Sequence, residues 1–115
     1  MPTAKLDLEK NTVDGKDVVI TRLSGMLSLE TVHTFIETMR LEPAAYLILD
    51  MSGVSYLDSA GVGALVSLFV SQRNRKKTLA VAALTKQGTA VLQVAGLTKL
   101  LPIFPTVEQA LAAQT

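Results

Sequence analysis

Hydrophobic spacing changes several times along this chain, and each change marks an element. Leu6 and Leu8 alternate with Asp7 and Glu9, the two-residue period of a first strand. Asp14-Gly15 is a turn signal. Asp17 to Leu23, rich in β-branched residues, predicts a second strand that Gly25 ends. Val32, Phe35, Ile36 and Met39 recur at i, i+3, i+4 and i+7, which predicts a helix as far as Arg40. Ser28 or Thr31 is placed to cap it, and Glu42-Pro43 breaks it. Tyr46 to Asp50 is a near-continuous apolar run, the pattern of a central strand buried on both faces and paired in parallel. Ser52-Gly53 reads as a loop. From Ala60 the spacing is helical again, with Val62, Leu65, Val66, Phe69 and Val70 as one stripe and Ser59 as N-cap. Asn74 to Lys77 is a polar turn. Thr78 to Leu84 is another apolar strand, and Lys86 to Ala95 a short helix closed by Gly96. Leu100 to Phe104 is a last strand. Thr106 caps a final helix through Ala112, with Glu108 in its first turn.

Strands alternating with helices indicate an α/β layer fold, its sheet covered by helices mainly on one face. No internal repeat and no Pro/Gly-rich linker divides the 115 residues, so one domain spanning 1–115 is expected. Hydrophobic residues make up 49% of the chain and charged residues 18%, which excludes a disordered tail. Eleven Lys plus Arg against ten Asp plus Glu leave a net charge of +1, too little for a direct nucleic-acid binder. With no Cys and a single His, disulfides, thiolate zinc and His-rich metal sites are excluded, and no cofactor is expected. Met1 to Asp7 lacks the apolar stretch of a secretory signal. The longest apolar window, Ala60 to Val70, falls short of the ~18 residues of a membrane span. The expectation is a cytoplasmic protein with no membrane insertion.

The stretch Tyr56-Leu57-Asp58-Ser59-Ala60-Gly61-Val62-Gly63-Ala64-Leu65 lies at a strand-to-helix junction. The simplest role for Ser59 is to cap the helix, a contribution of about 1 kcal/mol. Gly61 and Gly63 would then serve close backbone approach. A second role uses the same position. Phosphate on Ser59 would add about −1.5 to −2 charge beside Asp58. A partner seated on the small residues Ala60, Gly61 and Ala64 would face that charge without solvent. Met26 and Leu27, if exposed beside Ser59, would add apolar contact. Other residues promise less. His33 reads as solvated, with no carboxylate clearly placed to orient it. Glu37 and Glu42 read as surface charges. Arg73, Arg75, Lys76 and Lys77 read as a solvated helix end. Asp58-Ser59-Ala60-Gly61 is not the Gly-x-Ser-x-Gly elbow of a hydrolase, so no enzyme activity is expected.

These residues resemble the STAS family, and within it the stand-alone bacterial anti-sigma factor antagonists. The resemblance runs through Leu49-Asp50-Met51-Ser52-Gly53-Val54-Ser55-Tyr56-Leu57-Asp58-Ser59-Ala60-Gly61-Val62-Gly63, then Val94 to Leu101 and Val107 to Leu111. The Asp-Ser-x-Gly block after a strand is its specific part. It implies a mixed central sheet of about five strands with about four helices mainly on one face. It also implies partner switching. The unphosphorylated protein binds an anti-sigma factor that is also a GHKL-type serine kinase, and the sigma factor is released. Phosphorylation at Ser59 ends that binding, and a PP2C-type phosphatase reverses it. Asp58 accompanies Ser59 in the recognition motif. Partner contacts are implied at Asp58, Ser59, Ala60, Gly61, Ala64, Met26 and Ser28, and a weak homodimer stays open. The family often carries Gly-Glu-[Leu/Ile]-Asp after the second strand, whereas this chain reads Gly25-Met26-Leu27-Ser28. That difference motivates an alternative, a phosphorylation-independent STAS subunit of a transport or signalling assembly.

Overall fold

The computed structural model describes residues 4–113; Met1, Pro2, Thr3 and the last two residues of the expected 1–115 domain lie outside the described residues. β1 (Leu6–Thr12), β2 (Val18–Leu27), β3 (Tyr46–Leu57), β4 (Thr78–Ala82) and β5 (Ile103–Phe104) form one sheet in that spatial order. β1 is antiparallel to β2, and every other neighbouring pair is parallel. The connections explain the mixture. Asp14-Gly15, with Gly15 at φ 72°, makes a tight hairpin, and a hairpin reverses direction. Helices α1 (Val32–Arg40), α2 (Ser59–Asn74) and α3 (Lys86–Val94) each carry the chain back to start a parallel strand. A fourth helix, α4 (Val107–Ala112), follows β5.

Strand alternation sends Leu23, Leu47, Leu49, Met51, Leu79 and Val81 to one face of the sheet. There they pack with Phe35 and Met39 of α1, Leu65 and Leu68 of α2, and Leu92 of α3. The other face, Val18, Tyr46, Ile48, Ala80 and Ala82, is covered by Ala110 with Val107 and Leu111 of α4. Tyr46 Oη donates to the Ala110 carbonyl at 2.7 Å, and burial pushes the pKa of this hydroxyl up. Five mixed strands and four helices, three of them on one face, match the expected architecture.

Several local expectations are corrected. β3 does not stop at Asp50, and Ser52-Gly53 is not a loop; the strand continues to Leu57 beside β2. Two register shifts let β3 run past β2, between Arg22/Ser24 and Gly25/Met26, so the apolar residues are spaced irregularly there. Gly53 is required at the first shift, since a Cβ would lie 2.7 Å from the Leu23 carbonyl oxygen. β2 likewise passes through Gly25, at φ 116°, and ends at Leu27. The buried face of α2 is Gly61, Val62, Ala64, Leu65, Leu68 and Gln72, while Val70 is 46% exposed. The low contrast between the sides of this helix hid that rotation from the sequence. Glu42 is not a surface charge. It is buried, pairs with Lys10 Nζ at 2.9 Å and accepts from the Ala44 N–H.

Candidate functional site

Asp58 and Ser59 stand where the buried end of β3 meets the start of α2. Leu57, fully buried, is the last residue of the strand. Asp58 follows in extended conformation, and its Oδ1 accepts from the Gly61 N–H at 2.8 Å. Asp58 is therefore the N-cap, and Ser59 is the first helical residue. A charged acceptor meets the positive end of the helix better than a neutral hydroxyl does, so the capping role expected of Ser59 falls to its neighbour. The Ser59 side chain is exposed. Among the described residues its hydroxyl has no hydrogen-bond partner.

The second oxygen of Asp58 reaches a different element. Its Oδ2 accepts from the Leu29 N–H at 3.1 Å, and its own N–H donates to the Leu27 carbonyl at 3.3 Å. One side chain thus ties the start of α2 to the connection between β2 and α1. That connection is held internally by Thr31. The Thr31 hydroxyl donates to the Met26 carbonyl at 2.8 Å and accepts from the Ser28 N–H at 3.1 Å. Thr31 occupies the N-cap position of α1 without making a side-chain cap, because its hydroxyl is turned back into the connection.

This geometry sorts the expected partner contacts. Ser59 is exposed, and Asp58 and Ala60 are half-buried. Gly61 and Ala64 are buried and offer no docking surface. Gly61 lies against β2 and the end of β3, where a Cβ would come within 2.3 Å of the Leu27 carbonyl oxygen and 2.6 Å of Leu57 Cδ1. Ser28 is buried too, and Leu27 is fully buried rather than exposed; Met26 is half-buried. The exposed apolar groups near Ser59 are instead Leu29, at 75%, and Tyr56, at 43%. Gly63 faces outward with nothing near its missing Cβ. Leu29 escaped the sequence reading because it lies between the strand and helix periods.

Gln87 was also missed. Its amide binds the Leu57 backbone from both sides: Oε1 accepts from Leu57 N–H at 2.9 Å and Nε2 donates to Leu57 C=O at 2.8 Å. No motif announces such a contact. His33 does have a carboxylate beside it, contrary to expectation. Glu37, one helical turn on, lies 3.1 Å from its Nε2, with both side chains exposed. That spacing makes an exposed i,i+4 pair, and among the described residues no base reaches the Ser59 hydroxyl.

A mixed five-stranded sheet with three helices on one face, and an Asp-Ser pair at its β3–α2 corner, defines the class of domain. The chain belongs to the STAS domain family, whose model matches residues 9–110. A Listeria monocytogenes protein named anti-sigma-B factor antagonist is 24% identical over 98 residues, 85% of this chain and 86% of the relative. The crystal structure of an anti-sigma factor antagonist from Mycobacterium paratuberculosis superposes with a TM-score of 0.83 at 22% identity, covering 95% of this chain and 93% of that one. The anti-sigma factor antagonist SpoIIAA in its unphosphorylated form gives 0.75 at 19% identity, covering 91% and 93%. The murine anion transporter Slc26a9 contains the same fold, with a TM-score of 0.76 at 18% identity over 96% of this chain and 22% of the transporter. No helix among the described residues is long and apolar enough to cross a membrane.

Proposed function

We propose that the chain is an anti-sigma factor antagonist working by partner switching. In its unphosphorylated form it binds an anti-sigma factor that is also a serine kinase of the GHKL type, and the sigma factor goes free. The kinase moves the γ-phosphoryl group of ATP onto the Ser59 oxygen, whose proton leaves, and the complex separates. A PP2C-type phosphatase hydrolyses the phosphoester. The observation that carries this reading is the exposed Ser59 hydroxyl, left free of the capping role by Asp58. The name of the Listeria relative supports the same reading.

The electrostatics suit an off-switch. Nearby first-turn donors are already engaged: Gly61 N–H by Asp58 Oδ1 and Val62 N–H by the Asp58 carbonyl. A phosphate of about −1.5 to −2 charge would stand beside the Asp58 carboxylate. A partner covering Leu29, Tyr56 and Ser59 would have to strip water from that charge, so binding is lost without a large rearrangement.

Intact-mass measurement of the protein from its native cells under two growth conditions tests the proposal. A step of about 80 daltons mapping to Ser59 is expected in one of them. Ser59→Ala should lack the step and still capture the anti-sigma factor, whereas Ser59→Asp should not capture it. No mass step, together with equal capture by both variants, would refute the switch. A second reading, a phosphorylation-independent subunit of a transport or signalling assembly, is favoured by Met26 and the buried Ser28 at positions the family often fills with carboxylates. A transporter or scaffold recovered as the stable partner would select it.

A further inference from the structure

A second chemically marked surface lies at the other end of the parallel strands from Ser59. α1 and α2 both finish there, with Arg40 in the last turn of one and Arg73 in the last turn of the other. Hydrogen bonds gather the nearby cations. Arg75 Nη1 donates to the Arg40 carbonyl at 3.0 Å, and Lys77 Nζ donates to the Glu42 carbonyl at 3.4 Å. Lys10 Nζ pairs with Glu42 Oε1 at 2.9 Å. Lys10, Arg40, Arg73, Arg75, Lys76 and Lys77 therefore share one end of the molecule with a single buried carboxylate, Glu42. The other carboxylates of that region are Glu37, paired with His33, and Asp14 and Asp17 of the β1–β2 hairpin. With Lys16 of the same hairpin, seven cations stand against four carboxylates here, so this end holds a local positive excess in a chain of net charge +1.

Helix termination accounts for Arg75 and Lys77, whose heads bind carbonyls. The helix dipoles favour Arg40 and Arg73 in those last turns, but the side chains of Arg40, Arg73 and Lys76 are exposed and make no ion pair among the described residues. Lys76 is also in an unfavourable backbone state. It sits at φ 60° in a helix closure where Lys77 N–H reaches Gln72 O at 2.8 Å and Lys76 N–H reaches Arg73 O at 3.0 Å. Glycine is the residue suited to that position. Beside Arg40, Leu41 stands 83% exposed. A cation in a strained conformation and an exposed apolar side chain thus stand at the same end of the fold.

We propose that this end docks on a membrane surface rich in anionic lipid headgroups, without inserting a helix. Clusters of four to eight Lys and Arg match such surfaces, roughly 1 kcal/mol for each cation. Leu41 supplies a shallow apolar contact at the headgroup level. Single-stranded nucleic acid fits less well, because residues 40–45 and 72–77 contain no aromatic side chain on which a base would stack.

The test is co-sedimentation of the full chain with vesicles of mixed phosphatidylcholine and phosphatidylglycerol, and of phosphatidylcholine alone. Binding is expected to the mixed vesicles only, and to fall with added salt. Arg40→Gln/Arg73→Gln/Lys76→Gln should lower partitioning by about a hundredfold, near fivefold per cation. Lys5→Gln/Arg22→Gln/Lys86→Gln removes equal charge elsewhere and should change it only slightly. Lys76→Gly should weaken partitioning about fivefold while raising the melting temperature, which separates docking from folding. Equal binding to both vesicle types, or equal loss in the two triple variants, overturns the proposal. So does tighter retention on polyglutamate or a single-stranded oligonucleotide than on vesicles, which would give the surface to an acidic protein or to nucleic acid.

Discussion

Gln87 closes a pair of hydrogen bonds on the backbone of Leu57, at 2.9 Å and 2.8 Å, and so takes the place of a missing strand. β4 leaves β3 at Asp50, the last residue paired with Ala82. Beyond it, β3 has a neighbour on one side only. A side-chain amide presents an acceptor oxygen and a donor nitrogen side by side, as a peptide group does, so it satisfies the free edge just before Asp58 and Ser59. Gln87→Ala leaves two backbone groups of a buried residue unpaired and should destabilise the fold by about 1–3 kcal/mol. Gln87→Glu keeps the acceptor but turns the donor into a second acceptor facing a carbonyl, and should cost at least as much. Urea unfolding of both variants checks the order.

Asp58 makes two separable bonds, and substitution can remove them one at a time. Asp58→Asn keeps an oxygen for the Gly61 N–H but presents an amide donor to the Leu29 N–H. Asp58→Ala removes both contacts and should cost about 0.5–2 kcal/mol. Amide hydrogen exchange is expected to quicken at Leu29 in both variants and at Gly61 in Asp58→Ala alone. Equal protection of Leu29 in Asp58→Asn and the parent protein would show that the tether contributes nothing.

The two glycines at the start of α2 should respond oppositely to alanine. A methyl group at Gly61 meets backbone at 2.3 Å, so Gly61→Ala should destabilise by about 1–3 kcal/mol. At Gly63 the space is open, and Gly63→Ala should stabilise by about 0.5–1 kcal/mol through helix propensity alone. Thermal melts of the two variants, run side by side, check the signs.

Gln72 is 1% exposed, and neither its amide oxygen nor its amide nitrogen has a partner among the described residues. A buried unpaired amide costs about 1–3 kcal/mol relative to an apolar group of similar size. Gln72→Leu is therefore expected to raise stability by that order in urea titration. A loss instead would mean that the polar group is satisfied in solution.

Tyr46 makes stability fall in alkali. Burial raises its pKa in the folded state. Below about pH 10 the hydroxyl is neutral in both states and the bond to Ala110 contributes fully. As pH rises past that value, the unfolded chain ionises first and binds fewer protons, so unfolding becomes easier until the folded hydroxyl ionises too. Tyr46→Phe should lose about 1 kcal/mol at neutral pH and show a smaller alkaline decline, read from unfolding curves across the alkaline range.

Periodicity and local chemistry decided much of this protein without help. The spacing of Val32, Phe35, Ile36 and Met39, the apolar run from Tyr46, the Asp14-Gly15 turn and the Thr106 cap are interactions between near neighbours, so the chain order displays them. The Asp-Ser corner was legible for the same reason. Tertiary structure decided what neighbours in sequence cannot express. That the Asp58 cap is also tied to Leu29 depended on how two distant connections meet across the fold. That Gly61 and Ala64 were buried, and Leu29 was not, depended on how closely α2 lies against β2. The bulges that carry β3 past Gly53, the Lys10–Glu42 pair and the Gln87 clasp are contacts between distant segments. Their partners are brought together only when the sheet forms, and no short-range pattern records them.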